Sequence, residues 1–471
     1  MTAPSGDDGT ISWAQVLRET TELTGDAVHA RWMCETACGV DGSEFHAVLA
    51  APATERALAR LDAMVARYRA GEPVQYVLGS WGFRRLDLAV DARVLIPRPE
   101  TELVAGVAIE LAGEAGPIRH VADLGTGSGA IGLALADELP GDGTSIWMTD
   151  DSEAALDVAR ANLAAIGRNA RNVRIGQGRW FEALPSDLRF DVIVSNPPYV
   201  AEGAADVEAI VARWEPGRAL FSGRDGLDDL RHLVAGAPGR LRPGGALVLE
   251  IGADQGAALR RSFQAAGFAD IEIRPDLAGR DRIAVGRRPV RIAASGDLVV
   301  RHLRNRLADY ALLLGWLTDP GVLEWYEGRD QRFDLARILA EYGPGGELER
   351  EGTTAAIVEL AGRPAGYVQF YGVASSAEEF GLDDGRGVWS LDLYLDPRFH
   401  GSGLGRRVVR TVAEHLAGPV GAREVVIVPY TDNVRAIRAY EAAGFAAVEV
   451  VRDHELHEGV LRDGLRMHFR P

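Results

Sequence analysis

The sequence predicts an α/β protein made of a helical front segment, a mainly parallel sheet covered by helices, and a second mixed α/β unit. Three observations carry this. The chain has 471 residues, more than one core usually serves, since single hydrophobic cores stop growing at about 250–300 residues. From about residue 81, short apolar runs alternate with amphipathic helical stretches, the pattern of strands covered by helices. The alternation lapses from Arg287-Arg288-Pro289 to Ser295-Gly296-Asp297, where Pro and Gly sit without sustained period, so a linker is expected there.

Residues 1 to about 80 read as helical: Leu58, Leu61, Val65 and Tyr68 follow a 3/4 spacing, and no strand alternation precedes Gly71-Glu72-Pro73. The strand-like runs that follow are His120–Leu124, Ser145–Thr149, Phe190–Ser195, Ala246–Ile251 and Arg282–Gly286, with Leu156, Ala159, Leu163 and Ile166 marking a helix face between them. Beyond the lapse, Thr354–Glu359, Gly366–Tyr371 and Trp389–Leu395 read as strands of the second unit.

Composition narrows the function classes. With 47% hydrophobic and 25% charged residues, the chain is not wholly disordered. No stretch approaches the roughly 18 apolar residues of a membrane span. Met1 to Asp8 has neither a basic region nor an apolar run, so no secretory signal is visible and a cytoplasmic location is expected. The two cysteines, Cys34 and Cys38, share a helix face at i, i+4 and make neither a disulfide framework nor a zinc site. The net charge is −17, from 68 acids against 51 bases, and every base is arginine. Duplex binding draws on cation–phosphate contacts, so direct DNA binding is not expected, and no lysine-dependent mechanism is open.

The first chemical motif is Asp123-Leu124-Gly125-Thr126-Gly127-Ser128-Gly129, after an apolar run and before the helical segment Ala130–Glu138. Alternate glycines let the main chain turn tightly and approach a ligand. Asp150 ends the next apolar run, where an acid can accept hydrogen bonds from ribose hydroxyls. Together they favour an adenosine ligand over a bare turn and leave a dinucleotide and S-adenosyl-L-methionine both open.

Asn196-Pro197-Pro198-Tyr199 decides for the methyl donor. It leaves the carboxyl end of Phe190–Ser195, where open α/β sheets bind ligands. A planar amide or amino nitrogen is a poor nucleophile because its lone pair is delocalised. The Asn196 side-chain oxygen and a carbonyl near Pro197 can accept its N–H bonds, aim the lone pair and stabilise developing charge. The prolines stiffen the acceptors, and Tyr199 offers a face for a flat group.

Residues 1–288 resemble the release-factor glutamine N5-methyltransferase family. Further segments of the likeness are Gly71-Glu72-Pro73-Val74-Gln75-Tyr76-Val77-Leu78-Gly79, Val94-Leu95-Ile96-Pro97-Arg98-Pro99-Glu100-Thr101-Glu102, Glu215-Pro216 and Gly223-Arg224-Asp225-Gly226-Leu227. The resemblance implies a helical domain over 1–80 that docks the release factor. Over 81–288 it implies a seven-stranded, Rossmann-like class I methyltransferase domain that binds S-adenosyl-L-methionine. The accepting glutamine would lie in the release factor's Gly-Gly-Gln loop. Position by position, Gly125, Thr126, Gly127, Ser128 and Gly129 would hold the methionine part, Asp150 the ribose and Trp180 the adenine region. Asn196, Pro197, Pro198 and Tyr199 would hold the glutamine. Family members often carry an acid before the tryptophan, and here Arg179 stands there. The alternatives are an adenine-N6 methyltransferase, disfavoured by the acidic charge and the missing DNA module, and an enzyme acting on another protein's glutamine.

The second motif, Arg398-Phe399-His400-Gly401-Ser402-Gly403-Leu404-Gly405, follows a strand-like run and opens a helix with the core face Leu404, Val408, Val412 and Leu416. Free N–H groups at a helix start, with glycines permitting close approach, make a pyrophosphate cradle, and Arg398 can add charge. Asn433 precedes the helical Arg435–Tyr440, and Gly444 sits at its left-handed stop.

This pair of motifs resembles the GNAT acetyltransferases over about 298–471. The resemblance implies that Arg398, Gly401, Gly403, Gly405 and Asn433 bind acetyl-CoA, that a strand splays to admit the pantetheine arm, and that Tyr440 is the acid for the departing thiolate. Trp316-Leu317, Glu324-Trp325-Tyr326 and Ser390-Leu391-Asp392 resemble the aminoglycoside 6′-N-acetyltransferase branch, in which Asp392 would hold or deprotonate a small-molecule or protein amine. Close relatives usually carry an acid where Val428 stands. Glu324, Glu327, Glu378, Glu379, Asp383 and Asp384 are acids that can attract a cationic amine. The alternative for this half is a non-catalytic acetyl-CoA-binding module.

Overall fold

A computed structural model describes residues 10–40, 42–167, 171–204, 209–380, 382 and 384–471. Met1 to Asp8 and Asp383 lie outside the described residues. The front unit is helical, with helices Trp13–Thr24, Ala27–Cys38, Gly42–Val48, Glu55–Arg69 and Val74–Leu78. Local chemistry sets their ends: the Asp26 carboxylate accepts from the backbone N–H groups of Val28 and His29 at 2.8 and 2.9 Å, and Gly25 and Gly39 close helices in the left-handed region. Leu61 and Val65 are buried with Trp13, Met33, Cys34 and Phe45, while Leu58 and Tyr68 pack at the margin of that core.

A hairpin, Ser80–Phe83 with Leu86–Ala89, leads to the middle sheet. That sheet has seven strands in the spatial order 173–177, 144–150, 119–124, 190–195, 241–250, 281–287, 269–275. The first five run parallel, 281–287 runs antiparallel to them, and the edge strand 269–275 pairs antiparallel with 281–287 and so points the same way as the first five. All six residues of Phe190–Ser195 are buried, as befits a central parallel strand with helices on both faces. The chain order reverses between 119–124 and 190–195, so their carboxyl ends flank a crevice.

The rear sheet has eight strands in the order 291–295, 298–302, 354–360, 363–372, 388–395, 424–427, 460–469, 446–457. Its first strand, Arg291–Ser295, occupies the stretch expected to be a linker. It pairs antiparallel with Leu298–His302 across a turn at Gly296, whose φ is 64°, and Ile292 and Ala293 pack on the rear core. Two apolar contacts and a hairpin turn outweigh a weak local pattern. The two halves keep separate apolar cores. They meet through polar groups: Asn305 donates to the carbonyl of Ile118 at 2.7 Å and to Asp191 at 2.8 Å, and its own carbonyl accepts from Gly116 N–H at 2.8 Å. Among the described residues no helix is long and apolar enough to cross a membrane.

Candidate active sites

The glycine loop leaves the strand Arg119–Leu124 and ends at the helix Ala130–Glu138. Gly125, Gly127 and Gly129 have φ values of 70°, 55° and 89°, which L side chains rarely adopt. Buried Asp123 braces the loop, accepting from the Thr126 hydroxyl at 2.5 Å and Gly132 N–H at 2.9 Å. Burial pushes its carboxyl up to about 7. Asp150 accepts from Gly127 N–H and Ser152 N–H, each at 2.9 Å, and burial raises its pKa against those bonds.

One cavity of about 340 Å³ is lined by Gly125 to Ser128, Asp150, Trp180, Asn196 and Pro198. The expected cofactor and acceptor residues thus share one wall system. Three expected residues stand aside, the first being Pro197, which is buried and off the cavity wall. A Cβ on Gly129 would lie 2.9 Å from both Leu133 Cδ1 and Met148 Cε, so this glycine serves packing of helix on sheet. Tyr199 turns from the cavity and donates its hydroxyl to Glu250 at 3.2 Å.

A Cβ on Gly125 would come within 3.1 Å of Trp180 Cζ3, so glycine lets the loop and the indole pack this closely. Trp180 itself has φ 49°, a strained value for an aromatic residue. Its indole N–H and the Arg179 guanidinium both donate to Asp229 at 3.1 Å, and Ser222 donates to the same carboxylate at 2.7 Å. The carboxylate that the sequence lacks before the tryptophan is therefore present on the cavity wall as Asp229, 49 residues later. Nothing in the local sequence marks it, because only the fold brings helix Asp228–Gly236 to this wall.

The rear site opens between strands Val388–Leu395 and Glu424–Ile427, which pair in parallel only from Val388↔Glu424 to Ser390↔Val426. From Leu391 on they separate, and a cavity of about 950 Å³ includes Asp392, Gly401, Gly403, Gly405, Asn433 and Tyr440. Gly401 and Gly403 have φ values of 75° and 79° with nothing within 4 Å of an added Cβ. Asn433 caps helix Val434–Ala443, accepting from Ala436 N–H at 3.1 Å. Asp392 accepts from the Gln369 amide at 3.1 Å, and burial raises its pKa. Burial also lifts the Tyr440 phenol well above its ordinary value, with Asp392 adding to the shift.

Arg398 departs from expectation. Its guanidinium is held by Asp396 at 2.9 and 2.6 Å and is not on the cavity wall, where Arg406, Arg435 and Arg438 stand instead. An acid two residues upstream pairs with this cation, whose side chain is otherwise exposed. Of the acids, Glu327 reaches the wall and Glu324 does not. Glu378 is exposed, and Asp384 pairs with Arg386 at 3.2 Å. Asp383 and the Glu379 side chain lie outside what is described. Glu455, which periodicity does not mark, lines the cavity and accepts from the Tyr430 hydroxyl at 2.8 Å. Among the described residues no cluster of His, Cys, Asp and Glu could hold a metal.

Both sites fall within or beside segments that resemble known protein families. The chain matches the family described as the PrmC N-terminal domain over 11–79, the methyltransferase small domain over 110–214, and the acetyltransferase (GNAT) domain over 305–452. A release factor glutamine methyltransferase of Xylella fastidiosa (strain Temecula1) is 49% identical over 241 residues, which are 51% of this chain and 84% of that protein. One from Burkholderia pseudomallei is 43% identical over 268 residues, 56% of this chain and 93% of that protein. The solved structure of AAC(6′)-Ib with ribostamycin and coenzyme A is 30% identical, covering 37% of this chain and 93% of that one at a TM-score of 0.31. The chain belongs to the release factor glutamine methyltransferase family, and behind that S-adenosylmethionine-dependent enzyme it carries a GNAT acetyltransferase domain.

Proposed function

We propose that the front half methylates the side-chain amide of a glutamine in a peptide chain release factor, and that the rear half acetylates an amine from acetyl-CoA. The supporting observation is the single cavity shared by the glycine loop, Asp150, Trp180 and Asn196. The open side of the loop at Gly127, where an added Cβ meets nothing within 4 Å, and the cavity of about 340 Å³ fit S-adenosyl-L-methionine, which would supply the methyl group. Gly125 to Ser128 hold it by backbone, Asp150 accepts from ribose, and the Trp180 indole packs beside adenine. Asn196 Oδ1 and the carbonyl near Pro197 accept the two N–H bonds of the substrate amide, aiming its lone pair and stabilising the charge that develops on nitrogen. Residues 1–80 dock the protein substrate, 81–288 form the methyltransferase domain and 298–471 the acetyltransferase.

In the rear cavity, the open loop at Gly401 and Gly403 accommodates the pyrophosphate of acetyl-CoA, which supplies the thioester. Asp392 takes the proton of the attacking amine and Tyr440 protonates the departing sulfur. Incubation with both cofactors, a release factor and a panel of amines, read by mass spectrometry, tests both halves. A release factor that gains 14 Da on the Gly-Gly-Gln glutamine (one methyl for one hydrogen, about that mass) is the expected product. An unmodified glutamine under conditions where cofactor binds overturns the substrate assignment.

A further inference from the structure

Behind Asn196 lies a hydrogen-bonded chain that none of the sequence motifs announces as a unit. Register places it: Ser195 is paired with Leu249, so Asn196 and Glu250 leave neighbouring parallel strands side by side. Thr101, in the first turn of helix Pro99–Gly113, closes the gap between them. The Asn196 Nδ2 group donates to Thr101 Oγ1 at 3.2 Å, the Thr101 hydroxyl donates to Glu250 Oε2 at 2.7 Å, and the Tyr199 hydroxyl donates to Glu250 Oε1 at 3.2 Å. Thr101 and Glu250 are buried, 4% and 1% exposed, and Thr101 also lines the cofactor cavity.

We infer that Thr101 and Glu250 are positioning residues for methyl transfer, fixing the Asn196 amide so that its oxygen rather than its nitrogen meets the substrate. A threonine hydroxyl has one proton. An ionised Glu250 can only accept, so that proton is committed to it and a lone pair of Thr101 faces Asn196. Asn196 must then present N–H to Thr101 and turn Oδ1 toward the cavity. The flipped amide would set two acceptors face to face at Thr101 and offer N–H to the substrate's N–H. Protonated Glu250 can donate to Thr101, which frees the hydroxyl to turn toward Asn196 and removes the constraint. Thr101, Tyr199, Arg282 and Glu100 are the polar and charged groups acting on Glu250. The inference rests on Asn196 as the acceptor of substrate N–H, and the experiment separates the two.

The full chain is assayed with a release factor as Thr101→Val, Thr101→Ser, Asn196→Ala and the double variant Thr101→Val/Asn196→Ala, with S-adenosylmethionine affinity by calorimetry. Thr101→Val is expected to lower kcat about 10- to 100-fold, the scale of a misplaced catalytic group, with cofactor Kd and KM within about 3-fold. Thr101→Ser, which keeps the hydroxyl, restores turnover to within about 3-fold, and Thr101→Val adds less than about 2-fold to Asn196→Ala, since it acts through that side chain. Turnover equal to the parent in Thr101→Val, beside an inactive Asn196→Ala, overturns the inference alone. An active Asn196→Ala overturns the acceptor role beneath it. A pH profile needs no Thr101 variant: the parent's kcat is expected to fall as pH drops below about 7, where Glu250 takes up its proton, and Glu250→Gln to lose that limb. A limb unchanged in Glu250→Gln overturns the role of Glu250.

Discussion

At the scale of single residues, the rear cavity separates charge from chemistry. Tyr440 and Asp392 stand on one wall system, and both are shifted toward their neutral forms by burial. A neutral phenol is what a thiolate leaving group needs from an acid. A carboxyl pushed above its ordinary range is a stronger base once ionised. Tyr440→Phe keeps the ring and removes the hydroxyl. Acetyl transfer should then fall by ~10²–10⁴, the usual contribution of positioned proton transfer, with coenzyme affinity little changed. Because Asp396 already holds Arg398, Arg435→Ala should weaken coenzyme binding more than Arg398→Ala does. Calorimetry on the two arginine variants and rates at saturating cofactor check both. Equal affinity losses would return Arg398 to the pyrophosphate site.

At the scale of elements, the acceptor loop is held from outside its own sequence. The backbone of Val200 bonds with Leu220 and Ser222 at 2.9 Å, and the Gln255 amide donates to the Tyr199 carbonyl at 2.9 Å. Gly226 passes so close that an added Cβ would lie 2.3 Å from the Tyr199 carbonyl oxygen, and its φ is 73°. This explains the Gly223–Leu227 segment physically: its glycines let one loop brace another. Gly226→Ala should push the acceptor loop out of place. Methyl transfer is then expected to fall ~10- to 100-fold, with a stability loss of about 1–3 kcal/mol for the strained backbone. A denaturant melt and a turnover assay measure the two effects. Parent-like turnover would show that the loop holds its geometry without this brace.

At the scale of the whole molecule, the halves have separate apolar cores and a polar seam. Asp191 is buried at the start of the strand that carries Asn196, accepting from His120 N–H and from Asn305, each at 2.8 Å. Burial raises its pKa, and each donor opposes that shift. Arg242 with Glu349 at 3.0 Å and Arg306 with Glu114 at 2.6 Å add surface pairs worth less. A fragment of residues 1–290 should therefore fold and bind S-adenosylmethionine, because its core is complete. It should be less stable than the same unit in the full chain, because Asp191 and the Ile118 carbonyl lose Asn305. Asn305→Ala in the full chain isolates that loss, about 1–3 kcal/mol for a buried partner left unmade. An unfolded fragment by circular dichroism, or an Asn305→Ala midpoint equal to the parent's, would contradict this view of the seam.

Much of both sites was legible in the sequence because it is local chemistry on a short stretch of chain. Gly125 to Ser128, Asp150, Asn196, Gly401, Gly403 and Asn433 declare themselves by spacing from a strand end or a helix start, and the same spacing places them at a crevice. The central strands were legible too, since a run such as Phe190–Ser195 is short, mainly apolar and rich in β-branched residues. The edge strands Val173–Gln177 and Ala269–Pro275 were not, being half exposed and mixed in pattern. Nor was Arg291–Ser295, whose order comes from the rear core it packs on. What only the tertiary structure decided is who meets whom across the chain: Asp229 with Trp180, Thr101 and Glu250 with Asn196, Glu455 with the rear cavity, and Arg398 turned to Asp396. A hydrogen bond reports distance in space, and strand order, crossover and register set that distance for residues separated by up to about 150 positions, as Thr101 and Glu250 are.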